Sequence, residues 1–396
     1  MGCPKKIGGL QSRFGGTQKK TRTIKYIMST RLQIEKFYAE LFPFEFVLRF
    51  LSHGDAPQWS TLRREIVLSS SIFKSRFKSV ANVQEWRSLI EEHAKFTQME
   101  VGAVFSSRPR LINEARDALP LADAVVLREL TFDIDLTDYD SDVRYCCAGS
   151  KRCCLMCWPL ALAAVRFMET MLRKVFGCQR LVWFYSGRRG VHCWVLDDEF
   201  ANQPKFLRQN IVEYLAGERQ RLKSGRAPSP GITEALDAAV MPLFARVVES
   251  QSLFSNAQRR EKFFADLDMP AALLQEWSAG QYVGNVDSLV GTIERYRNNP
   301  ALAQHVAKRP NLLAEVVLKC CYPRLDTQVT VDLAHLIKMP FSLHPATSVV
   351  CIPMTERQMQ TFDPAHAVTA HACTQADIER GIEAALLMNE GEIKSS

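Results

Sequence analysis

The sequence predicts a mixed α/β fold, and three stretches carry that prediction. Residues 129–137 alternate polar and apolar side chains with the period of a strand. Residues 181–196, "LVWFYSGRRGVHCWVL", hold two apolar, β-rich runs around a glycine-flanked turn. Between them, Trp158 to Phe176 repeats apolar residues at helical spacing, with Gly177 placed to end the helix.

The first stretch raises a chemical question. Successive strand side chains point to opposite faces, so Leu130, Phe132, Ile134 and Leu136 share one face. Glu129, Thr131, Asp133, Asp135 and Thr137 share the other. Asp133 and Asp135 therefore stand side by side, and their repulsion needs an answer. A divalent metal supplies one, whereas a lone D-x-D also occurs on ordinary solvent-facing strands. In the hairpin, Arg188 and Arg189 on a short turn can present forked donors to phosphate oxygens, with His192 beyond them as a third donor. A third stretch, "YPRLDTQVTVDLAHLIKMPFSLHP" (322–345), again alternates, with Arg324, Asp326, Gln328 and Thr330 on one face. It offers Asp326 as a third carboxylate, and Lys338 and His344 flank a Pro-bearing loop.

Composition sets the frame. With 396 residues, 47% of them hydrophobic, the chain can bury a large core in one or two domains. No apolar run approaches the length that crosses a bilayer, so no membrane association is expected. The net charge is +7, but residues 1–34 alone carry eight Lys and Arg and no acid, leaving −1 for residues 35–396. Long-range attraction of nucleic acid by the body is thereby excluded, and any such channel must be local. The tail, residues 1–30, reads as basic and mostly disordered. Its composition fits a nuclear address or a mitochondrial presequence comparably well.

Twelve cysteines without a secretory signal argue for reduced thiols or metal ligation. Five fall within twelve residues, in "RYCCAGSKRCCLMCW". Cys154 and Cys157 form a C-x-x-C knuckle and Cys146-Cys147 supplies the other half of a four-thiolate zinc site. Cys153 competes for one place; Cys154 is preferred on its spacing to Cys157. Four protein ligands leave no open position, so the site reads as structural.

Taken together, "ELTFDIDLTDYD", "SGRRGVHCW" and "PRLD…HLIKMPFSLHP" resemble, in that order, the small catalytic subunit of eukaryotic and archaeal DNA primase. "LFPFEF" (41–46), "VGAVFSSRP" (101–109) and, more faintly, "NIVEYL" (210–215) extend the likeness. The Cys-Cys…C-x-x-C-W insertion is similar to the eukaryotic branch, with one residue inserted before Cys154.

The resemblance implies a primase-type α/β (α+β) catalytic core over 31–200 and 311–372, with Asp133, Asp135 and Asp326 on one sheet face. It implies a zinc motif at 146–157, an inserted helical subdomain at 201–310 and a C-terminal helix and tail at 373–396. Asp133, Asp135 and Asp326 would be the catalytic carboxylates, holding two Mg²⁺ or Mn²⁺ ions. Ser186, Arg188, Arg189, His192, Lys338 and His344 would hold the triphosphate, with Glu65 and Arg76 as further active-site positions. Gln98 stands where the family has lysine. The implied activity is RNA primer synthesis on single-stranded DNA for replication initiation, a DNA-directed RNA polymerase reaction using NTPs. The alternative is a primase-polymerase of repair or organellar replication using dNTPs. Implied partners are the template, the RNA primer, a large regulatory subunit in a heterodimer and the DNA polymerase alpha complex of the primosome. The implied location is the nucleus.

Overall fold

The computed structural model describes residues 30–390 apart from 94, 118–119, 141, 151–152, 225, 266, 268, 270, 280–284 and 299–310. The expectation of a disordered basic tail concerns residues that, but for the last, lie outside these. Among the described residues no helix is long and apolar enough to cross a membrane.

The chain forms two antiparallel sheets with helices packed around them. The first has the order β2-β1-β3-β4, from β1 (Arg64–Ser69), β2 (Lys74–Lys78), β3 (Gln98–Phe105) and β4 (Val125–Leu127). The short β8 (Ile337–Lys338) pairs with β3 through Glu100 and Val101. The second has the order β5-β7-β6, from β5 (Leu130–Asp135), β6 (Leu181–Tyr185) and β7 (Gly190–Val195).

Local chemistry explains the hairpin. Ser186 closes the turn, its amide donating to the Gly190 carbonyl and its hydroxyl accepting from the Gly190 amide. Gly187 lies at φ +86°, and a Cβ there would sit 2.9 Å from both His344 Cβ and the Val349 carbonyl oxygen. Only glycine fits that turn against the 344–349 loop. A Cβ at Gly190 would meet the Ile134 carbonyl oxygen at 2.1 Å, so the strands need glycine there too.

The helix after the cysteines spans Trp158–Lys174, with Pro159 in its first turn. It ends as its sequence suggests. Gly177 is left-handed at φ +76°, and the Cys178 amide closes on the Leu172 carbonyl at 2.9 Å. Both faces of this helix are buried, because the β5–β7 sheet and the helical run through Ala235–Val240 and Met241–Ser250 cover it.

The third stretch departs from its alternating pattern. Leu325 makes a single bridge to Ile134, and Thr327–Val331 is then a short helix rather than a strand. Asp326 is its N-cap, accepting from the Gln328 amide at 3.1 Å. The β-branched residues of Thr-Gln-Val-Thr-Val favour a strand. The aspartate cap and packing against β5 and the helix Lys205–Lys223 override that preference. The expectation that one sheet face carries all three aspartates is therefore corrected: Asp133 and Asp135 lie on β5, and Asp326 reaches them from a helix cap.

Candidate active site

A cavity of about 240 Å³ opens between the two sheets. Asp133 and Asp135 enter it from β5, His192 from β7, Ser186, Arg188 and Arg189 from the turn, and Asp326 from the helix cap. Lys338 comes from β8, His344 from the loop beyond it, and Gln98 and Glu100 from β3. Register explains part of this convergence, because Asp133 is paired with His192 and Asp135 with Gly190 across the ladder.

Two of the expected residues stay outside. Glu65 is buried and takes a bidentate ion pair from Arg76, both bonds 2.9 Å. Neither lines the cavity. A Cβ at Gly102 would meet both Glu65 and Leu336, and Leu336 does line it, so the pair lies one layer behind. Glu100 and His335 line the cavity without having been singled out. The i, i+2 rule applied to "QMEVG" puts Glu100 beside Gln98 and would have found the first.

The carboxylates differ sharply in environment. Asp133 is pushed up to about 7 by burial, then by Asp135 and Asp326, with Lys338 opposing. Burial pushes Asp135 up as well. Hydrogen bonds from the Thr137 amide (2.9 Å) and hydroxyl (2.8 Å) and from Arg189 Nη2 (3.0 Å) outweigh it and hold Asp135 below its ordinary value. Asp326 is exposed, and its amide donates to the Asp133 carbonyl at 3.0 Å.

The basic groups are held in a desolvated wall. Burial lowers Lys338 to about 8, and its ammonium donates to the Ser186 carbonyl at 2.7 Å. His192 and His344 are lowered to about 3, by burial first and by Lys338 second. Both rings are thus neutral near pH 7. His344 Nδ1 accepts from the Ala346 amide, which leaves Nε2–H as its donor. His192 Nε2 stands 3.5 Å from Asp133.

An oxygen-only set of mutually repelling carboxylates suits hard divalent cations, which relieve that repulsion. The aspartates do not close into a tight cage, however. Among the described residues, the one set of three or more acidic, Cys or His donor atoms all lying within 4.8 Å of one another is Cys146, Cys147, Cys154 and Cys157. Tetrahedral zinc with bonds of roughly 2.3 Å needs sulfur–sulfur edges of about 3.8 Å. The distances 3.8 Å (Cys146–Cys154) and 3.7 Å (Cys154–Cys157) suit that, while 3.0 Å (Cys146–Cys157) is shorter. Arg144 Nε donates to Cys157 Sγ at 3.3 Å and Gln251 Nε2 to Cys146 Sγ at 3.2 Å, as anionic thiolates require. Cys153 is not in the set; its thiol faces the Cys154 carbonyl at 3.9 Å.

Comparisons with known proteins identify the family. A family model described as DNA primase small subunit matches residues 132–356. The chain is 30% identical to the DNA primase small subunit of Saccharomyces cerevisiae over 85% of its own length and 84% of that protein's. It is 31% identical to the Drosophila melanogaster DNA primase small subunit over 83% and 77%. With the archaeal counterpart of Methanobrevibacter smithii it shares 24% identity over 60% and 68%. With a family model over more than half of the chain and relatives of 30% identity over most of it, the chain belongs to the DNA primase small-subunit family, a family of primer-synthesising nucleotidyltransferases.

Proposed function

We propose that this chain synthesises short RNA primers on a single-stranded DNA template, adding NTPs by nucleotidyl transfer to start DNA replication. The observation that carries the reading is the convergence of Asp133, Asp135 and Asp326 with Arg188, Arg189, His192 and Lys338 on one cavity. The three aspartates would hold two Mg²⁺ or Mn²⁺ ions. When bound, such ions supply activation of a 3′-hydroxyl and charge neutralisation at the leaving pyrophosphate. The rest falls to the chain itself. The guanidinium of Arg188 or Arg189 takes a bidentate grip on phosphate, and Ser186, Lys338 and the neutral His192 and His344 donate to its other oxygens. Glu65 orients Arg76 behind the β3 wall.

The four-cysteine set is assigned a structural Zn²⁺. The helices between Lys205 and Asn298 are assigned to an inserted subdomain, with the core formed on either side of it. A family defined as the small subunit supports a larger partner subunit, and replication supports a nuclear location. The polymerase alpha complex is the further partner proposed. Relatives named as primase small subunits do not favour the dNTP-using alternative.

The test is primer synthesis on single-stranded DNA by the purified chain, alone and with a co-expressed larger subunit, with NTPs set against dNTPs. Synthesis only from dNTPs would reverse the reading. For the zinc, elemental analysis should find one ion per chain. Cys157→Ser should lose it along with solubility, and Cys153→Ser should keep it; loss in Cys153→Ser would show that the ligand set is different.

A further inference from the structure

β5 lies at the edge of its sheet, with β7 on one side and a lone bridge from Leu325 on the other. The carbonyls of Glu129, Thr131 and Asp133 form a row of acceptors along that outer edge. Buried acceptors of this kind need donors. All three find one outside any strand: Arg208 Nη1 donates to Glu129 O (3.1 Å), Thr330 Oγ1 to Thr131 O (2.9 Å) and the Asp326 amide to Asp133 O (3.0 Å).

Thr330 lies four residues past the Asp326 cap, at the end of the same short helix. A helical threonine ordinarily returns its hydroxyl to its own preceding turn. Here the fully buried Thr330 gives it to the strand that carries Asp133 and Asp135. Arg208, on the helix Lys205–Lys223, grips the other end, donating also to the carbonyls of Thr330 (3.4 Å) and Phe200 (3.1 Å).

We propose that Thr330, seconded by Arg208, is a positioning residue that sets the spacing of Asp326 from Asp133. The backbone ties the cap to β5 only at the Leu325–Ile134 bridge and the Asp326 amide, and no ladder continues beyond them, so the Thr330 hydroxyl supplies the next link along the strand edge. Arg208 links that register to the helices beyond Lys205. This rests on the reading of the three aspartates as metal-holding groups, and it deepens that reading.

The experiment measures Mn²⁺ binding to the whole purified chain by the loss of the free-ion EPR signal, beside melting temperature and NTP kinetics. Thr330→Val keeps the shape and deletes the donor. It should raise the Mn²⁺ dissociation constant about three- to tenfold, the worth of one net buried hydrogen bond. The KM for NTP at saturating Mn²⁺ should move by less than about twofold, since the phosphate donors are untouched. Thr330→Ser should restore Mn²⁺ binding. If Thr330→Val folds poorly, Thr330→Ala makes the same comparison. Wild-type Mn²⁺ affinity in a donor-less variant, or no rescue by serine, overturns the proposal and leaves Thr330 a structural tie only. Asp326→Asn separates the two readings. If it binds Mn²⁺ as wild type does, the metal-holding assignment itself falls. If it binds weakly while Thr330→Val does not, the positioning role alone is lost.

Discussion

Two ends of one strand face treat the same chemical group in opposite ways. Just before β5, Glu129 is buried with its partners: Arg64 grips it bidentately at 2.7 and 2.8 Å, His53 reaches it at 3.2 Å and Arg128 lies 3.5 Å away. Burial opposes its ionisation, yet Arg64 and His53 hold it well below the usual carboxylate range. Four residues on, Asp133 is half-buried among other acids and rises to about 7. An acid that holds the fold together is enclosed with the charge that neutralises it. Asp133, under the proposed metal-holding role, is enclosed mainly with other acids and only Lys338 opposing them.

The comparison can be broken most directly at its functional end. Asp133→Ala or Asp135→Ala should cut nucleotide incorporation by roughly ten-thousandfold, about 5.4 kcal/mol at 1.36 kcal/mol per decade. Melting temperature should hardly fall in Asp133→Ala, which removes a repelling charge, and should fall further in Asp135→Ala, which also loses the bonds from Thr137 and Arg189. Unchanged incorporation at saturating Mn²⁺ would sink the assignment. At the structural end, Glu129→Gln should cost about 3–5 kcal/mol of stability in urea unfolding at pH 7, since Arg64 and Arg128 stay buried without their counter-ion. The folded value of Glu129 is depressed, so its contribution is complete above the unfolded value of about 4.3 and fades as pH falls below it. The variant should lack that acid limb.

A middle-sized effect belongs to the turn. Arg188→Lys or Arg189→Lys keeps the charge and loses the planar fork, a cost of about 1.5–3 kcal/mol for charge-assisted bonds. The KM for NTP should rise about ten- to a hundredfold, with single-stranded DNA affinity nearly unchanged. Weakened DNA binding with normal NTP use would move the turn to the template path.

The smallest effect sharpens the contrast. Asp133 has a raised folded value, so ionising it destabilises the metal-free fold as pH climbs from the unfolded value of about 3.9 towards about 7. In EDTA, Asp133→Asn should melt above wild type at pH 8, and the gap should narrow below pH 7 and close near pH 4. This is the reverse of the behaviour expected at Glu129. Parallel pH profiles for the two positions would erase the distinction.

Much of the architecture is legible in local pattern. The period of two in 129–137, the glycines around Ser186–Gly190 and the helical repeat ending at Gly177 each act over a few residues, and each appears where the spacing puts it. Glu100 was legible by the same rule and overlooked. The helix at Thr327–Val331 was not legible, because its β-branched residues point the other way and its cap and packing decide.

What the sequence by itself determined is which side chains share a face: Asp133 beside Asp135, Arg188 beside Arg189, Cys154 one knuckle from Cys157. Periodicity and steric punctuation are short-range, so they survive without a fold. Only the tertiary structure decided that Glu129 and Asp133 belong to different chemistries, since they look alike on the strand and differ only in distant partners. Arg64 meets Glu129 from 65 residues away, Gln251 meets Cys146 from 105, and Thr330 meets Thr131 from 199. Burial and charge pairing depend on what the chain brings alongside, and no local pattern contains that.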